Sequence, residues 1–346
     1  MSTPPAGQHL ASILTSKGSP LSLIHRPTAT PGPNELLIEV KALALNPADN
    51  AQLHLGILIA SYPYILGSDI AGTIVSVHPS VTEYKTGDRV LAGVSAYFEN
   101  ANNDYGAFQK FVLAKKWAVT PLPDGVSFSQ GAMLPMAVST AWNGWFGLEI
   151  PRDTKWQPED KKGMLVWGGA SSVGSAALQS AKLMGYVIYT TASSKHHEYL
   201  KSLGATHVFD YHDEDVVRKI VEVAKGEGVS LDIGYDAVGQ MHSCMGVLKE
   251  FKVNGKAKMA EVIPSMEDRD KDGVAVRNMK MPRDSPEAFQ EHFHFIFNVW
   301  LKDKLESGEY VPSPGLQVVE GGLESLPKHL DTLKAGVSGV KLVLEI

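Results

Sequence analysis

The feature that most constrains this chain is the succession Met164–Trp167, Gly168–Gly174 and Ala176–Met184: a short apolar run, a glycine-rich turn and a segment with helical apolar spacing. A strand that feeds straight into a helix needs parallel neighbours reached by crossovers, and the chain supplies a series of them. Tyr186–Thr191, His207–Asp210 and Leu231–Asp236 read as strands; His197–Leu203, closed by Gly204, and Val216–Ala224 read as helices. This alternation predicts βαβ units on a doubly wound parallel sheet, an α/β arrangement. The first third differs. Glu35–Leu43, Ile70–Val77, Gly87–Gly93 and Phe108–Leu113 are short β-rich runs set off by Gly, Pro and Asn, which predicts an irregular, barrel-like β domain. Val340–Ile346 reads as one more strand, and Glu267–Pro286, rich in Asp, Lys, Arg and Pro, as an exposed excursion.

Composition narrows the function classes. The 346 residues correspond to two domains, and 44% hydrophobic with 20% charged residues provides for buried cores. With 32 Lys+Arg against 38 Asp+Glu, a net charge of −6, nothing electrostatic favours nucleic acid or an anionic membrane as partner. Met1–Leu10 has no basic region, Leu10–Leu14 is too short for a signal core, and Met133–Ile150 is broken by Pro135, Asn143 and Glu149. The expectation is a soluble, cytoplasmic protein without a membrane span. The single cysteine, Cys244, excludes an intrachain disulfide framework and a multi-cysteine zinc site.

The turn itself, Gly169-Ala170-Ser171-Ser172-Val173-Gly174, fits a G-x-S-x-x-G form of the dinucleotide fingerprint. Such a turn brings backbone N–H groups and a helix N-terminus against a pyrophosphate. Gly169 is expected to make the tight turn, Gly174 to let helix and strand approach, and Ser171 to offer a hydroxyl donor. At the end of the next strand an NAD site places an acid on the ribose hydroxyl, about 20 residues on. Here the chain reads Thr190-Thr-Ala-Ser193-Ser194-Lys195-His196, with no acid before Glu198. Two hydroxyls and an ammonium suit a 2′-phosphate, so NADP(H) is expected. The plainer alternative is that Ser193 or Ser194 caps the next helix beside a solvated lysine.

Taken with Asn46-Pro-Ala-Asp49, Tyr62–Gly72, Gly87–Val90, Gly106–Phe108, Leu134–Thr140, Lys201–Ala205 and Phe209–Tyr211, the turn carries a family resemblance. Over nearly its whole length the chain resembles the medium-chain dehydrogenase/reductase superfamily, and within it the zinc-independent quinone oxidoreductase and fungal trans-acting enoyl reductase branches. The resemblance implies a GroES-like β-rich domain (residues 1–130 with 300–346) and an inserted Rossmann NADP-binding domain (131–299), with the active site in the cleft between them. It implies Asn46, Pro47, Asp49 and Thr140 beside the nicotinamide and Gly169–Gly174 at the pyrophosphate. Ser193, Ser194, Lys195, His196 and Tyr211 fall at the adenosine phosphate end, and Val238, Gly239, Val340 and Lys341 are further cofactor candidates.

Zinc-dependent members carry a catalytic Cys and a Gly-His-Glu motif where this chain has Asn46-Pro47 and Gly67-Ser68-Asp69, and the four-cysteine structural lobe is missing. No zinc is therefore expected. His292 and His294, two apart, point away from each other on a helix and suit surface or packing roles. Many relatives have Lys two residues after the motif Asp, but here the position is Ala51. Asn46, Thr140 and Tyr62 are the catalytic candidates, with Tyr64 and His54 as further donors and packing as the alternative for the tyrosines beside Pro63. Trp142, Trp145 and Phe146 fit either a substrate slot or the core.

The expected reaction is NADPH-dependent hydride transfer to the β-carbon of a carbonyl-conjugated C=C bond, the enolate being met by hydrogen-bond donors. The substrate is a small-molecule or carrier-bound enone or enoyl group. Reduction of quinones or alkenals is an alternative, and so is a non-redox NADPH-binding protein that shapes a partner or substrate. The expected state is monomer or homodimer, with Lys256–Val262 as the segment to inspect. Lys195→Ala should lower the preference for NADPH over NADH by roughly ten- to a hundredfold in kcat/KM, the worth of one charge-assisted hydrogen bond of about 1.5–3 kcal/mol.

Overall fold

The computed structural model describes residues 7–263 and 269–346. From the N-terminus, β1 (Gln8–Ile13) and β2 (Ser22–Pro27) form an antiparallel hairpin. Next come β3 (Glu35–Ala44), α1 (Pro47–Leu55), β4 (Asp69–Val77), β5 (Arg89–Gly93), β6 (Phe111–Lys115), β7 (Val119–Pro121) and α2 (Phe128–Ala132). The alternating segment begins with α3 (Pro135–Gly147), β8 (Gly163–Trp167), α4 (Ser172–Leu183), β9 (Val187–Thr191), α5 (His197–Ser202) and β10 (His207–Phe209). It continues through α6 (Val216–Glu227), β11 (Ile233–Asp236), α7 (Met241–Leu248), β12 (Ala257–Glu261), β13 (Arg269–Lys271) and β14 (Val274–Asn278). The chain closes with α8 (Pro286–His294), a π-helical turn (Phe295–Leu301), α9 (Lys302–Glu306), β15 (Gly315–Val319), α10 (Leu326–Ala335) and β16 (Val340–Glu345). Two compact units result: the chain up to Met136 together with Gln290–Ile346, and Ala137–Phe289.

In the first unit β3 is the organising strand. Its start pairs with β6, its end with β16, and most of its length with β4, all antiparallel; β5, β7 and β15 extend the sheet. One strand serves three partners because β6, on Glu35–Glu39, and β16, on Ala42–Ala44, share the edge opposite β4; against β4 the register shifts at Leu37/Ile38 and again at Val40/Ala42, and each shift bends the strand. Gly72 sits opposite the second shift, where a Cβ would lie 2.1 Å from the Glu39 carbonyl oxygen, so no other residue fits. The inward faces bury Leu36, Ile38, Val40, Leu43, Ile70, Ile74, Val90, Leu342 and Leu344 in one apolar core.

The second unit carries the sheet order β10-β9-β8-β11-β12-β14-β13. The first six strands are parallel in the doubly wound 3-2-1-4-5-6 order; β13 runs antiparallel on the edge. One expectation is corrected here. The polar stretch from Glu267 onward is not wholly an exposed excursion: Glu267 lies outside the described residues, but β14 is a core strand with Val274 and Val276 buried. Its charges sit on the other face and on β13, where Arg277 pairs with Asp270, so the charged composition hides a period of two. Of Lys256–Val262, the strand β12 (Ala257–Glu261) lies inside the sheet between β11 and β14.

Since Val274 packs inside the sheet, Val274→Ala should cost about 2 kcal/mol from two lost methyl groups and the space they leave. An exposed position would cost nothing measurable. The urea midpoint decides between the two.

Candidate functional site

In the first unit, four polar side chains converge inside the barrel. β3 ends at Ala44, and Pro47, with fixed φ and no N–H, opens α1 immediately after Asn46. Asp49 reaches back from the first turn, its Oδ2 accepting the Asn46 N–H at 2.7 Å. Asp69, the first residue of β4, pairs in register with Ala44, and β16 crosses the same end of β3 and delivers Lys341. Asn46 is 3%, Asp49 0%, Asp69 0% and Lys341 4% exposed. The Asn46 Nδ2 donates to Asp69 Oδ2 at 2.9 Å; the Lys341 ammonium donates to the same oxygen at 3.2 Å and to Asn46 Oδ1. Asp69 Oδ1 accepts the Met136 N–H at 2.7 Å, which completes its set of donors.

Lys341 and Asp69 thus form a buried ion pair with an amide bonded to both. Asp49 is the extra carboxyl. Burial pushes it up to about 7, with Asp69 adding to the rise while the Asn46 amide and Lys341 oppose it. The nearby tyrosines differ from each other. Tyr64 is buried, its hydroxyl pushed up to about 12 by desolvation, and Tyr62 packs half-buried against the barrel core with its hydroxyl close to Gly56. Pro47 is exposed and Ala51 half-buried, so the ammonium of this cluster comes from β16 and not from the helix after the motif.

In the second unit the turn after β8 has a firm geometry. Gly168, with φ +81°, holds the left-handed conformation of the turn. Gly169 is required for space: a Cβ there would lie 2.2 Å from Thr190 Oγ1, and one on Gly174 would lie 2.2 Å from the Gly168 carbonyl oxygen. Thr191 Oγ1 takes the Gly168 N–H at 3.0 Å and ties the turn to β9. The Ser171 hydroxyl donates to the Gly168 carbonyl at 2.8 Å and accepts the Gly174 N–H at 3.0 Å, capping α4. It is therefore not the outward donor expected from the sequence. Ser172 and Val173, half-buried in the first turn of α4 behind Ala170, present N–H groups that a helix cannot satisfy internally.

At the end of β9 the half-buried Ser193 starts a short helical turn, Ser194–His196, without a side-chain capping bond, so its hydroxyl is not drawn into the capping role. Ser194 is engaged through its backbone, whose N–H donates to Asp210 Oδ2 at 3.1 Å. Lys195 is exposed, His196 half-buried with its imidazole held below its usual range by burial first and then by Lys195, and Tyr211 exposed against His212. After β11, Asp236 Oδ1 accepts the N–H groups of Val238 and Gly239 at 3.1 and 2.9 Å. This holds Val238 over the turn, where its side chain would meet any Cβ placed on Gly168. Thr140 is half-buried on α3, its carbonyl accepting the Tyr235 hydroxyl at 2.8 Å.

Trp142 and Trp145 belong to the core: both are buried, and the Trp145 indole donates to Ser180 Oγ at 2.9 Å. Phe146, 40% exposed, instead lines a cavity of about 390 Å³ with Met279–Asp284. Val340 flanks Lys341 on β16, half-buried and paired with Gly315. Sequence patterns mark Asp69 only as the residue at the last position of the zinc motif, not as a hydrogen-bonding centre, and show nothing of Thr191, Asp236 or the Met136 N–H in that role. An isolated Asp or Thr at a strand end has no periodic signal, and a backbone donor has none at all.

Two family models match: "Alcohol dehydrogenase GroES-like domain" over residues 32–124 and "Zinc-binding dehydrogenase" over 172–259. The chain is 42% identical to the trans-enoyl reductase tndF of Aspergillus flavipes, over 99% of this chain and all of that one. It is 47% identical to the trans-enoyl reductase tazE of Aspergillus terreus, over 73% of this chain and 85% of that one. Among solved structures, a zinc-dependent alcohol dehydrogenase-like protein from Rhizobium etli superposes with TM-score 0.79 at 21% identity, covering 98% of each chain. The CurK enoyl reductase superposes with TM-score 0.74 at 21% identity, covering 98% of this chain and 99% of that one. The GroES-like and Rossmann units make this chain a medium-chain dehydrogenase/reductase. Within that superfamily it belongs to the trans-enoyl reductase branch.

Zinc, which one family description implies, does not fit these residues. The motif positions offer an amide and a carboxylate but no thiolate or imidazole, and the Lys341 ammonium already takes up both. Among the described residues no group of three or more His, Cys, Asp or Glu is placed to hold a metal ion.

Lys341→Met should cost about 3–5 kcal/mol, because it leaves the Asp69 carboxylate buried without its cation. The double variant Lys341→Met/Asp69→Asn should recover much of that loss, and equilibrium denaturation of the four proteins gives the coupling.

Proposed function

We propose that this protein is an NADPH-dependent, zinc-independent enoyl reductase that saturates a C=C bond conjugated to a carbonyl, in a small-molecule or carrier-bound substrate. The observation that carries the reading is the buried Lys341 ammonium, bonded to Asn46 and Asp69, the two residues that stand at positions where the family resemblance places the zinc motif. Identity to two trans-enoyl reductases supports the reaction class, and the GroES-like and Rossmann halves support a nucleotide cofactor.

When bound, NADPH supplies the hydride. The chain's part is to hold and orient. The N–H groups of Ser172 and Val173 at the start of α4 serve the pyrophosphate through hydrogen bonds and the helix dipole, with Gly169, Ala170 and Gly174 leaving room and Ser171 bracing the turn. Ser193, Ser194, Lys195, His196 and Tyr211 serve the 2′-phosphate and adenine end; an exposed ammonium and an uncapped hydroxyl are the groups a phosphate monoester needs. Val238 and Gly239 border the same turn. Asn46, Pro47, Asp49, Thr140, Val340 and Lys341 belong to the nicotinamide end, and Tyr62 is a candidate donor there. Without a Lewis acid, acceleration rests on positioning and on fixed donors in a dry environment.

The test is a panel of enoyl thioesters, enones, quinones and alkenals, with NADPH oxidation followed by its absorbance in the presence and absence of a zinc chelator. Saturation of an enoyl or enone substrate, unaffected by the chelator, is expected. Tight NADPH binding with no turnover of any acceptor, or loss of activity on chelation, would overturn the reading.

A further inference from the structure

The buried cluster of the first unit is unbalanced in charge, and that imbalance points to a role for Asp49. Asp69 and Lys341 cancel, at 3.2 Å and with little exposure. Asp69 has three donors, whereas Asp49 has one: its Oδ2 takes the Asn46 N–H, and its Oδ1 is buried with no partner among the described residues. A second ionised carboxylate there would carry an uncompensated buried charge with half its lone pairs unpaired.

The other titratable groups around it do not supply a counter-charge. On α1 itself His54 turns a buried Nε2 with no partner to the interior. From the segment before β4, Tyr64 is neutral, its hydroxyl pushed up to about 12. On α10, which packs against α1, the buried His329 has its Nε2 on the Glu320 carbonyl at 2.9 Å, and Lys328, Asp331 and Lys334 are exposed. Burial accordingly holds the Asp49 carboxyl far above the ordinary carboxylate range.

We propose that Asp49 is a positioning residue that links the charge of the nicotinamide to pH: its carboxyl stays protonated beside the neutral, reduced ring and gives up its proton to solvent beside the oxidised ring, which is cationic. This rests on the reading that the cluster serves the nicotinamide end of NADPH. In the protonated form the cluster is neutral, which suits the reduced cofactor. Loss of the proton leaves a net negative cluster, which attracts the oxidised ring by simple Coulomb interaction. The balance is one carboxylic acid giving one carboxylate and one solvent proton, with no electron moved by Asp49.

The experiment measures the dissociation constants of NADP+ and NADPH by fluorescence titration of the whole protein from mildly acidic to mildly alkaline pH, about 5.5 to 8.5, on either side of the physiological range. The 2′-phosphate titrates in both cofactors, so the ratio of the two constants isolates the ring charge. In the wild type the preference for NADP+ should rise about tenfold across this range, the order expected of one charge at a protein-like dielectric. It should be flat in Asp49→Asn and unchanged from wild type in His54→Gln. A variant-free measurement stands beside it: calorimetry at neutral pH in buffers of different ionisation enthalpy should show more protons released on binding NADP+ than on binding NADPH. A flat ratio in the wild type, a wild-type slope in Asp49→Asn, or equal proton release for the two cofactors would overturn the assignment while leaving the reductase reading intact. Failure of the wild type to bind either cofactor would overturn both.

Discussion

The buried ion pair of Lys341 with Asp69 is the interaction on which the candidate chemistry of the first unit depends. Neither partner tolerates the loss of the other, because an isolated charge in that interior has no water to solvate it. The pair also joins three distant parts of the chain: the end of β3 through Asn46, the start of β4 through Asp69 and the C-terminal strand through Lys341. Such a pair adds little net stability over apolar packing, but it specifies one arrangement of those strands. β4 and β16 reach the same strand end because they pair with the two opposite edges of β3 there.

The second unit solves a different physical problem with the same economy of side chains. A glycine-rich turn that approaches phosphates must be open on one side and rigid on the other. The rigidity comes from hydrogen bonds at the rear: Thr191 on the Gly168 N–H, Ser171 on the Gly174 N–H, and Asp236 on the N–H groups of Val238 and Gly239. Each of these satisfies a backbone group that the turn would otherwise leave unpaired, so the donors at the start of α4 remain directed outward. The fingerprint residues are therefore only part of the device.

Much of the architecture is legible from periodicity and punctuation. The strand–turn–helix succession around Gly168–Gly174, the βαβ alternation and the β-rich first third all show in the sequence, because each element buries a face and so imprints a period on it. Where sequence and structure part, tertiary context outweighs composition. The charged surroundings of Val274 and Val276 conceal a core strand. Ser171 has the residue type of an outward donor, yet as the first residue before a helix its hydroxyl is better placed to cap.

The sequence by itself determined the class of chain: a nucleotide-type turn in a parallel sheet, a β-rich companion, and no thiolates or motif histidine for zinc. These are local properties, set by residue type and spacing. What only the tertiary structure decided is that a lysine 295 residues from Asn46 in the chain supplies the cation of the buried cluster, and that Asp49 is left as its unbalanced carboxyl. Charge balance in an interior depends on which strands meet, and strand pairing across such a separation leaves no trace in local spacing.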